Sequence, residues 1–199
     1  MKTIWTAGRS RLAAFAIGFT ACQAACAAPV MLFDIAPDPA IVGHAVGVDV
    51  RLAGAADLYA FQFSIGFDPS VLRLGSIGEG GMLATGGSTF FYPGAVDDAA
   101  GTVQFILGSL LDAVPGVDGD GVLAHLDFDV MGDGTTLLRL SDVLLLDSSL
   151  AELSVETRDG ILKAVPVPEP ASLALVLLCL GVASAARRDV GRITTGARP

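Results

Sequence analysis

Three polar residues near the middle of the chain have the types and spacing that acid–base chemistry needs. His125, Asp127 and Asp129 alternate with apolar residues, so they share one face of a predicted strand. Two carboxylates at this spacing lie about 7 Å apart, a separation that suits an inverting glycosidase. Acidic residues that alternate along a strand more often form a solvated surface, and we favour that interpretation. His125, Asp127 and Asp129 are then a candidate binding face for a basic partner.

Other catalytic and metal sites find little support in the sequence. The run Asp118-Gly119-Asp120-Gly121 is similar to the start of a calcium loop, but it lacks the bidentate glutamate, and the same residues also form ordinary turns. Cys22, Cys26 and Cys179 all lie near the ends of the chain. The sequence contains no G-x-S-x-G and no phosphate-binding glycine–lysine motif. We therefore predict no catalytic residues, no metal site and no cofactor.

A short aromatic run offers a second candidate surface. Phe90, Phe91 and Tyr92 are the clustered aromatic residues outside the most aromatic predicted strand, and sugar rings stack on such side chains. Alternation along a strand places Phe91 opposite the other two, so at least one ring should belong to the core. Phe91 and Tyr92 are the candidate residues for this alternative, carbohydrate binding.

Residues 57–74 (DLYAFQFSIGFDPSVLRL) organise the elements that must position these side chains. Apolar residues occupy every second position in its first half, which predicts a half-buried strand. Asp68-Pro69-Ser70 predicts a tight turn at the end of that strand. Four aromatic residues on one face require a second apolar layer opposite them. Another strand is predicted at 46–52, with a turn at 54–57 between the two.

Short β-prone segments separated by turn residues make up the rest of the body. Loops are predicted at 75–87 and at 111–121, and the first of them should contain a short strand. About nine strands and no convincing helix fall within residues 28–165, so the fold class is all-β. Their spacing favours an antiparallel β-sandwich of the jelly-roll type. The predicted strands are 46–52, 57–66, 88–92, 102–107, 122–130, 136–140, 143–146, 154–157 and 161–164.

Both ends of the chain have the composition of targeting segments. Residues 1–27 combine a basic start, an apolar run and a small-residue cleavage site, which predicts a secretory signal peptide. Residues 171–186 carry no charge and predict a single transmembrane helix, short for a bilayer. Arg187 and Arg188 follow at once, which predicts a cytoplasmic tail at 189–199 and an exported body.

A proline-rich entry precedes the apolar C-terminal segment. Pro168-Glu169-Pro170, the apolar span and the pair Arg187-Arg188 follow in an order that resembles the PEP-CTERM sorting signal of Gram-negative bacteria, over residues 166–188. The resemblance implies processing by a membrane-embedded exosortase. It also implies a location in the cell envelope or at the cell surface, with extracellular release as one outcome. These five residues are the predicted sorting motif.

The body resembles a second family, the cohesin domain, over roughly residues 38–164. The resemblance is carried by the strand that ends Phe67-Asp68-Pro69-Ser70-Val71-Leu72, by the block GDGVLA at 119–124 and by the closing VETRDGILKAV. It implies a jelly-roll sandwich that receives a dockerin-like protein module through one sheet face. Because cohesins are related to some carbohydrate-binding modules, polysaccharide remains an alternative ligand.

The charge of the body narrows the classes of partner. The chain has 21 acidic residues, most of them in the body. The negative electrostatic field of the body therefore repels nucleic acid and favours cationic partners. We predict an exported, non-enzymatic cohesin-like module that binds a protein partner at the cell surface or in an exopolysaccharide matrix. Before processing it would contact the membrane through its C-terminal helix. The body's basic residues are Arg51, Arg73, Arg139, Arg158 and Lys163.

Overall fold

The computed structural model describes residues 28–167, and the all-β prediction is confirmed there. Its helical content is one 3₁₀ turn, Leu83–Thr85, and no helix in these residues is long and apolar enough to cross a membrane. The predicted signal peptide, transmembrane helix and tail lie outside the described residues. The strands are β1 (Val30–Ala36), β2 (Ala40–Ile41), β3 (Ala45–Gly66), β4 (Leu72–Glu79), β5 (Thr89–Tyr92), β6 (Ala95–Asp97), β7 (Thr102–Leu110), β8 (Val117–Val130), β9 (Gly134–Asp147), β10 (Glu152–Leu153), β11 (Glu156–Thr157) and β12 (Gly160–Val165).

The 22-residue strand β3 joins two sets of strands. Its first half pairs with β1 and β8, and its second half pairs with β7 and β9. The predicted turn at 54–57 is therefore wrong, because the chain bends there without reversing. Gly54 and Asp57 have positive φ, and the register with β8 shifts on either side of Ala55. A bulged bend of this kind lets one strand serve two layers.

The two layers are built around the two halves of β3. One layer has the order β11-β1-β3-β8-β4, and the other contains β5 and β6 beside β7, then β3 and β9. Strand β12 pairs with the start of β9 and with β2. Most pairs are antiparallel, as predicted, but β1–β11 and β12–β2 are short parallel pairs.

The hydrophobic core takes side chains from both layers. The alternation predicted at 57–66 is confirmed in part: Phe61, Phe63 and Ile65 are buried together with Phe67, but Leu58 and Ser64 are buried too, and Tyr59 is half-buried. Phe67 packs edge-on against Phe128 of β8, with ring centroids 5.1 Å apart. Residues 28–167 contain no cysteine, so this part of the chain is stabilised by one cluster of buried apolar residues and not by disulfides.

Several predicted boundaries differ from the structure for local reasons. Twelve strands replace about nine: β1 and the very short strands β2, β6 and β10 were not predicted, β4 lies partly in a predicted loop, and two pairs of predicted strands merge into β3 and β9. The predicted strands 136–140 and 143–146 form one strand, β9, which bends at Asp142 with a φ of 51°. The predicted loop at 75–87 is partly the strand β4, and the one at 111–121 ends where β8 begins at Val117.

Candidate functional site

Strand β8 carries the residues that the sequence singled out for acid–base chemistry. Leu126 and Phe128 are buried, whereas His125, Asp127 and Asp129 lie on the opposite, accessible side. We call this side of the first layer the polar face. Strict alternation would place Leu123 on the same side, but Leu123 is buried, because a register shift beside Val50 and Arg51 of β3 inserts one extra residue in β8.

A histidine between two carboxylates lies at the centre of the polar face. Nδ1 of His125 is 2.5 Å from Oδ1 of Asp49, and its Nε2 is 3.1 Å from Oδ1 of Asp127. Asp49 lies directly opposite His125 in the β3–β8 register. On β4, the Ser76 hydroxyl donates a hydrogen bond of 2.8 Å to Oδ2 of Asp127. Asp49 is 76 residues away from His125 in the chain and becomes its neighbour only through strand pairing, so the local sequence pattern does not reveal it.

This cluster favours the charged forms of His125 and Asp127. The hydrogen bond to Asp49 raises the pKa of His125, partial burial opposes that shift, and Asp127 adds to it. The Ser76 hydroxyl and then His125 lower the pKa of Asp127 against partial burial. His125 thus lies between two carboxylates that favour its protonated form, on the accessible surface of the sheet.

The geometry does not favour the catalytic alternatives. In a nucleophile–base pair the serine hydroxyl contacts the histidine, whereas Ser76 contacts Asp127. A glycosidase general acid needs a raised pKa, and that of Asp127 is lowered. Asp129 accepts a hydrogen bond of 2.9 Å from Nη2 of Arg73, and Asp34 of β1 lies 3.6 Å from Arg51. Four carboxylates of the polar face are thus already paired with cationic groups of the same chain.

The run Asp118-Gly119-Asp120-Gly121 lies inside β8. It therefore forms neither the predicted turn nor the start of a calcium loop. Oδ1 of Asp118 accepts a hydrogen bond from the backbone N–H of Asp57, and Oδ1 of Asp120 accepts one from that of Gly54, both at 2.7 Å. These carboxylates satisfy the donors that the bend in β3 frees from the ladder. Among residues 28–167 no group of three or more His, Cys, Asp or Glu is arranged to hold a metal ion.

Strand β5 separates the two aromatic candidates. Phe91 packs against the core, whereas Tyr92 is 43% exposed and Phe90 is 53% exposed on the other side. Phe91 and Tyr92 therefore do not form one surface. The accessible aromatic pair of this strand is Phe90 and Tyr92.

Behind this aromatic pair lies a wide surface that the sequence analysis missed. The register across β5, β7, β3 and β9 aligns two rows of four residues without a charge. The six of these residues that lie on β3, β7 and β9 line a shallow depression of about 170 Å³. We call this surface the uncharged face. Its rows are Phe90-Ser109-Ala60-Leu146 and Tyr92-Leu107-Gln62-Leu144.

The uncharged face gives little signal in the sequence. Residues 143–146 are Val-Leu-Leu-Leu, so they are apolar on both sides of the strand and show no alternation. Leu145 is buried opposite Phe61, while Leu144 and Leu146 are half-buried on the outer side. The one sequence feature that indicates this face is that residues 143–146 are apolar at every position, whereas the strand predicted at 57–66 alternates. Such a run is typical of a strand that is covered on both faces.

The residues of the sorting motif lie beyond the part of the chain that the structure describes. The last described residue, Val167, directly precedes Pro168, and β12 ends two residues earlier, at Val165. Pro168, Glu169, Pro170, Arg187 and Arg188 consequently have no described geometry.

Comparison with protein families and known sequences gives two matches along this chain. The model of the cohesin domain matches residues 34–163, and that of the PEP-CTERM protein-sorting motif matches residues 166–192. No curated protein sequence is similar enough to match.

Solved structures similar to this fold are also cohesins. One is the second type II cohesin module of the adaptor ScaA scaffoldin of Acetivibrio cellulolyticus, with a TM-score of 0.60 and 16% identity over 71% of this chain and 93% of that one. Another is a type II cohesin-X-dockerin complex from the same organism, with a TM-score of 0.58 and 14% identity over 69% and 99%. A non-cellulosomal cohesin from the archaeon Archaeoglobus fulgidus has a TM-score of 0.53 and 16% identity over 70% and 92%.

Proposed function

Because the chain belongs to the cohesin-domain family and carries a PEP-CTERM sorting motif, we propose that it binds a dockerin-like module of another protein through the uncharged face. Cohesin domains are protein–protein interaction modules, and the sorting motif implies export and placement in the cell envelope. The module would hold its partner at the cell surface or in the surrounding polysaccharide matrix, without catalysing a reaction.

The single observation that carries this proposal is the pair of uncharged rows on β5, β7, β3 and β9. Phe90 and Tyr92 expose large rings there, and three leucines lie half-buried beside them. A contiguous apolar patch of this kind is uncommon on a monomer unless it binds something. Aromatic and aliphatic side chains at the centre of such a patch supply most of the binding energy of an interface.

Charge around the uncharged face indicates the chemistry of the partner. Glu152 lies beside Leu146 in the pairing of β10 with β9, and Asp147 follows at the end of β9. Residues 57–66, 83–110 and 140–157, which supply the face and its surroundings, contain no lysine and no arginine. A partner with an apolar centre and a basic rim would be complementary, and its association rate would fall with added salt.

Similar solved structures support the class of partner. Several of the solved cohesins are complexes with dockerins, including the cohesin of OlpA with the dockerin Doc918 from Clostridium thermocellum. That pair shares 13% identity with this chain on the cohesin side, so it supports the fold and suggests the partner class.

We further propose the targeting scheme that the sequence predicts for both ends of the chain. Residues 1–27 would be removed as a signal peptide, and residues 171–186 would hold the exported body in the membrane until exosortase acts at Pro168-Glu169-Pro170. Arg187 and Arg188 would keep the tail 189–199 in the cytoplasm. Release of the processed body from the cell would follow only if exosortase leaves it without another anchor.

Carbohydrate binding is the second candidate function. The specific observation in its favour is that Phe90 and Tyr92 lie two residues apart on the same exposed side of an edge strand. Two exposed rings at this spacing could stack against the rings of a sugar chain. The protein-binding proposal accounts for the whole eight-residue surface, whereas stacking accounts for two residues of it.

The test of the main proposal is capture from the producing organism's extracellular fraction by the purified full chain. The Phe90→Glu variant should lose the captured protein, because it places a charge in the uncharged face. Ile161→Glu is the matched control, since Ile161 is 60% exposed on β12, away from that face. Support requires that the captured protein carries a dockerin-like repeat and that only Phe90→Glu loses it. Equal capture by both variants, or polysaccharide in place of protein, would contradict the proposal.

A further inference from the structure

A separate cleft of about 560 Å³ lies at one end of the uncharged face. One wall comes from the segment between β7 and β8, and the other from the turn between β9 and β10. Its lining includes Tyr59, Asp112, Val114, Pro115, Ser148 and Leu150. Three strands of the uncharged face lead directly into it: Tyr59 precedes Ala60, Asp112 follows β7, and Ser148 follows β9. The cleft therefore lies at the end of the strands that carry the uncharged face.

Backbone strain is concentrated around this cleft. Five residues other than glycine have positive φ in the described chain, and three of them are here: Asp57 at 58°, Asp112 at 68° and Leu150 at 63°. Leucine rarely adopts this conformation, since its Cβ crowds the backbone. Leu150 is also 65% exposed, so burial does not compensate for the strain. Strain without a packing benefit is a common feature of binding sites.

Hydrogen bonds hold both walls in place. Oδ1 of Asp57 accepts the backbone N–H of Gly116 at 2.8 Å, and its Oδ2 accepts the Ser148 hydroxyl at 2.7 Å. The Tyr59 hydroxyl donates a hydrogen bond of 2.7 Å to the backbone carbonyl oxygen of Asp112, which leaves the Asp112 carboxylate out of this contact. The cleft is therefore preorganised, so a ligand would not have to order these segments on binding.

The lining combines apolar walls with one acid. Tyr59, Val114, Pro115 and Leu150 present apolar surface, and Asp112 is exposed and contributes a carboxylate. None of the lining residues is basic. A long apolar stem that ends in a cation matches this combination, because lysine and arginine bury their methylene groups while keeping their charge in water. The ring of Tyr59 is also a suitable neighbour for a cation.

We propose that this cleft binds a lysine or arginine side chain of the protein that docks on the uncharged face. The stem packs between Leu150 and Pro115, and the cationic head meets the carboxylate of Asp112. The inference rests on the proposed function for the source of the side chain, but the cleft can be tested without the partner. Its failure and the failure of partner capture are therefore distinguishable.

The test uses the full chain in detergent, with NMR shifts of the Leu150 methyl groups and the Gly116 amide as the readout. The probes are the N-acetyl methylamides of lysine, arginine, norleucine and glutamate, with cellotetraose as a neutral sugar. Norleucine has an apolar stem without the charge. We expect lysine and arginine to bind about two- to fivefold more tightly than norleucine, the range for one exposed charge pair. Glutamate should bind more weakly than norleucine.

Two variants separate binding from folding. Asp112→Asn keeps the side-chain shape and tolerates positive φ. It should therefore lower the affinity of the lysine and arginine probes to that of norleucine. Asp133→Asn, at the other end of β9, is the matched control and should change nothing. Leu150→Asn removes an apolar wall and tolerates positive φ, so, followed at the Gly116 amide, it should weaken binding of all amino-acid probes without lowering the unfolding midpoint.

Several results would overturn the proposal. One is equal binding of glutamate and lysine, and another is an unchanged lysine affinity in Asp112→Asn. Cellotetraose binding in place of the amino-acid probes would assign the cleft to sugars. The absence of any shift with all probes would show that the cleft does not take such a side chain.

Discussion

Asp49 of β3 and His125 of β8 face each other across a strand pair, with Oδ1 of one 2.5 Å from Nδ1 of the other. The contact links two strands of the first layer at an accessible position. Asp127 holds the second ring nitrogen, so the imidazole is fixed at both ends. This ion cluster predicts a pH dependence of stability that has a definite sign.

The contribution of His125 should decrease as the pH rises. Its pKa in the folded protein is raised above the ordinary value of 6.5, so its stabilisation is fully present below that value and is lost as the pH rises through the folded pKa. Because the side chain is half exposed, we expect less than about 1 kcal/mol. His125→Gln should remove this part of the pH dependence in urea unfolding measured from pH 5 to 9. A profile identical to that of the wild type would show that the cluster is energetically neutral.

Truncation of Phe91 should lower stability, whereas truncation of Tyr92 should weaken partner binding. Phe91→Ala removes a half-buried ring that packs on the core, so we expect a loss of about 1–3 kcal/mol in the free energy of unfolding. Tyr92→Ala should change it by less than about 0.5 kcal/mol but weaken partner binding, because its ring is exposed on the uncharged face. Denaturant unfolding and capture of the partner measure the two effects. A binding loss in Phe91→Ala at unchanged stability would contradict this assignment.

Gly101 and Gly66 form a matched pair for a test of backbone fit. Gly101 has a φ of 66°, and a Cβ there would collide with the carbonyl oxygen of Phe67. Gly101→Ala should therefore cost about 2–4 kcal/mol, from strain and overpacking together. Gly66, opposite Thr102 at the end of β3, has open space around its Cβ position. Gly66→Ala should change the unfolding free energy by less than about 0.5 kcal/mol, as measured by denaturant unfolding.

Asp57 should control the order of the cleft walls. The Ser148 hydroxyl and then the Gly116 amide lower its pKa, so its stabilisation is present above the ordinary value of 3.8 and is lost as the pH falls through the folded pKa. Asp57→Asn should make stability less dependent on pH below 4. Amide hydrogen exchange at Gly116 should also become faster, because its acceptor loses charge. Unchanged exchange there would mean that other contacts hold this segment.

The sorting motif should act independently of the folded body. If exosortase reads Pro168-Glu169-Pro170, Glu169→Gln should leave the chain unprocessed in the membrane fraction, with its C-terminal segment still attached. Mass spectrometry of the recovered chain measures this directly. Glu156→Gln, on β11 within the body, is the matched control and should be processed normally. Normal processing of Glu169→Gln would rule out this reading of the motif.

The sequence predicted local features well and failed where long-range pairing decides. Alternation at 57–66 identified the buried side of that segment correctly, because each strand residue faces opposite to its neighbour. The turn expected at 54–57 was wrong, since the carboxylates of Asp118 and Asp120, more than 60 residues away, stabilise a bend there. Local turn propensity cannot account for an acceptor that arrives from another strand.

The sequence by itself determined the class of fold, the two family resemblances and the charge of the body, because all of these depend on composition and on residues close together in the chain. Only the tertiary structure decided which surface is available for binding. Phe90 and Leu146 belong to one row because β5, β7, β3 and β9 pair in a particular register, and register depends on the packing of the whole core. In the other layer, the pairing of β8 with β3 brings Asp49 to His125, and its pairing with β4 brings Arg73 to Asp129.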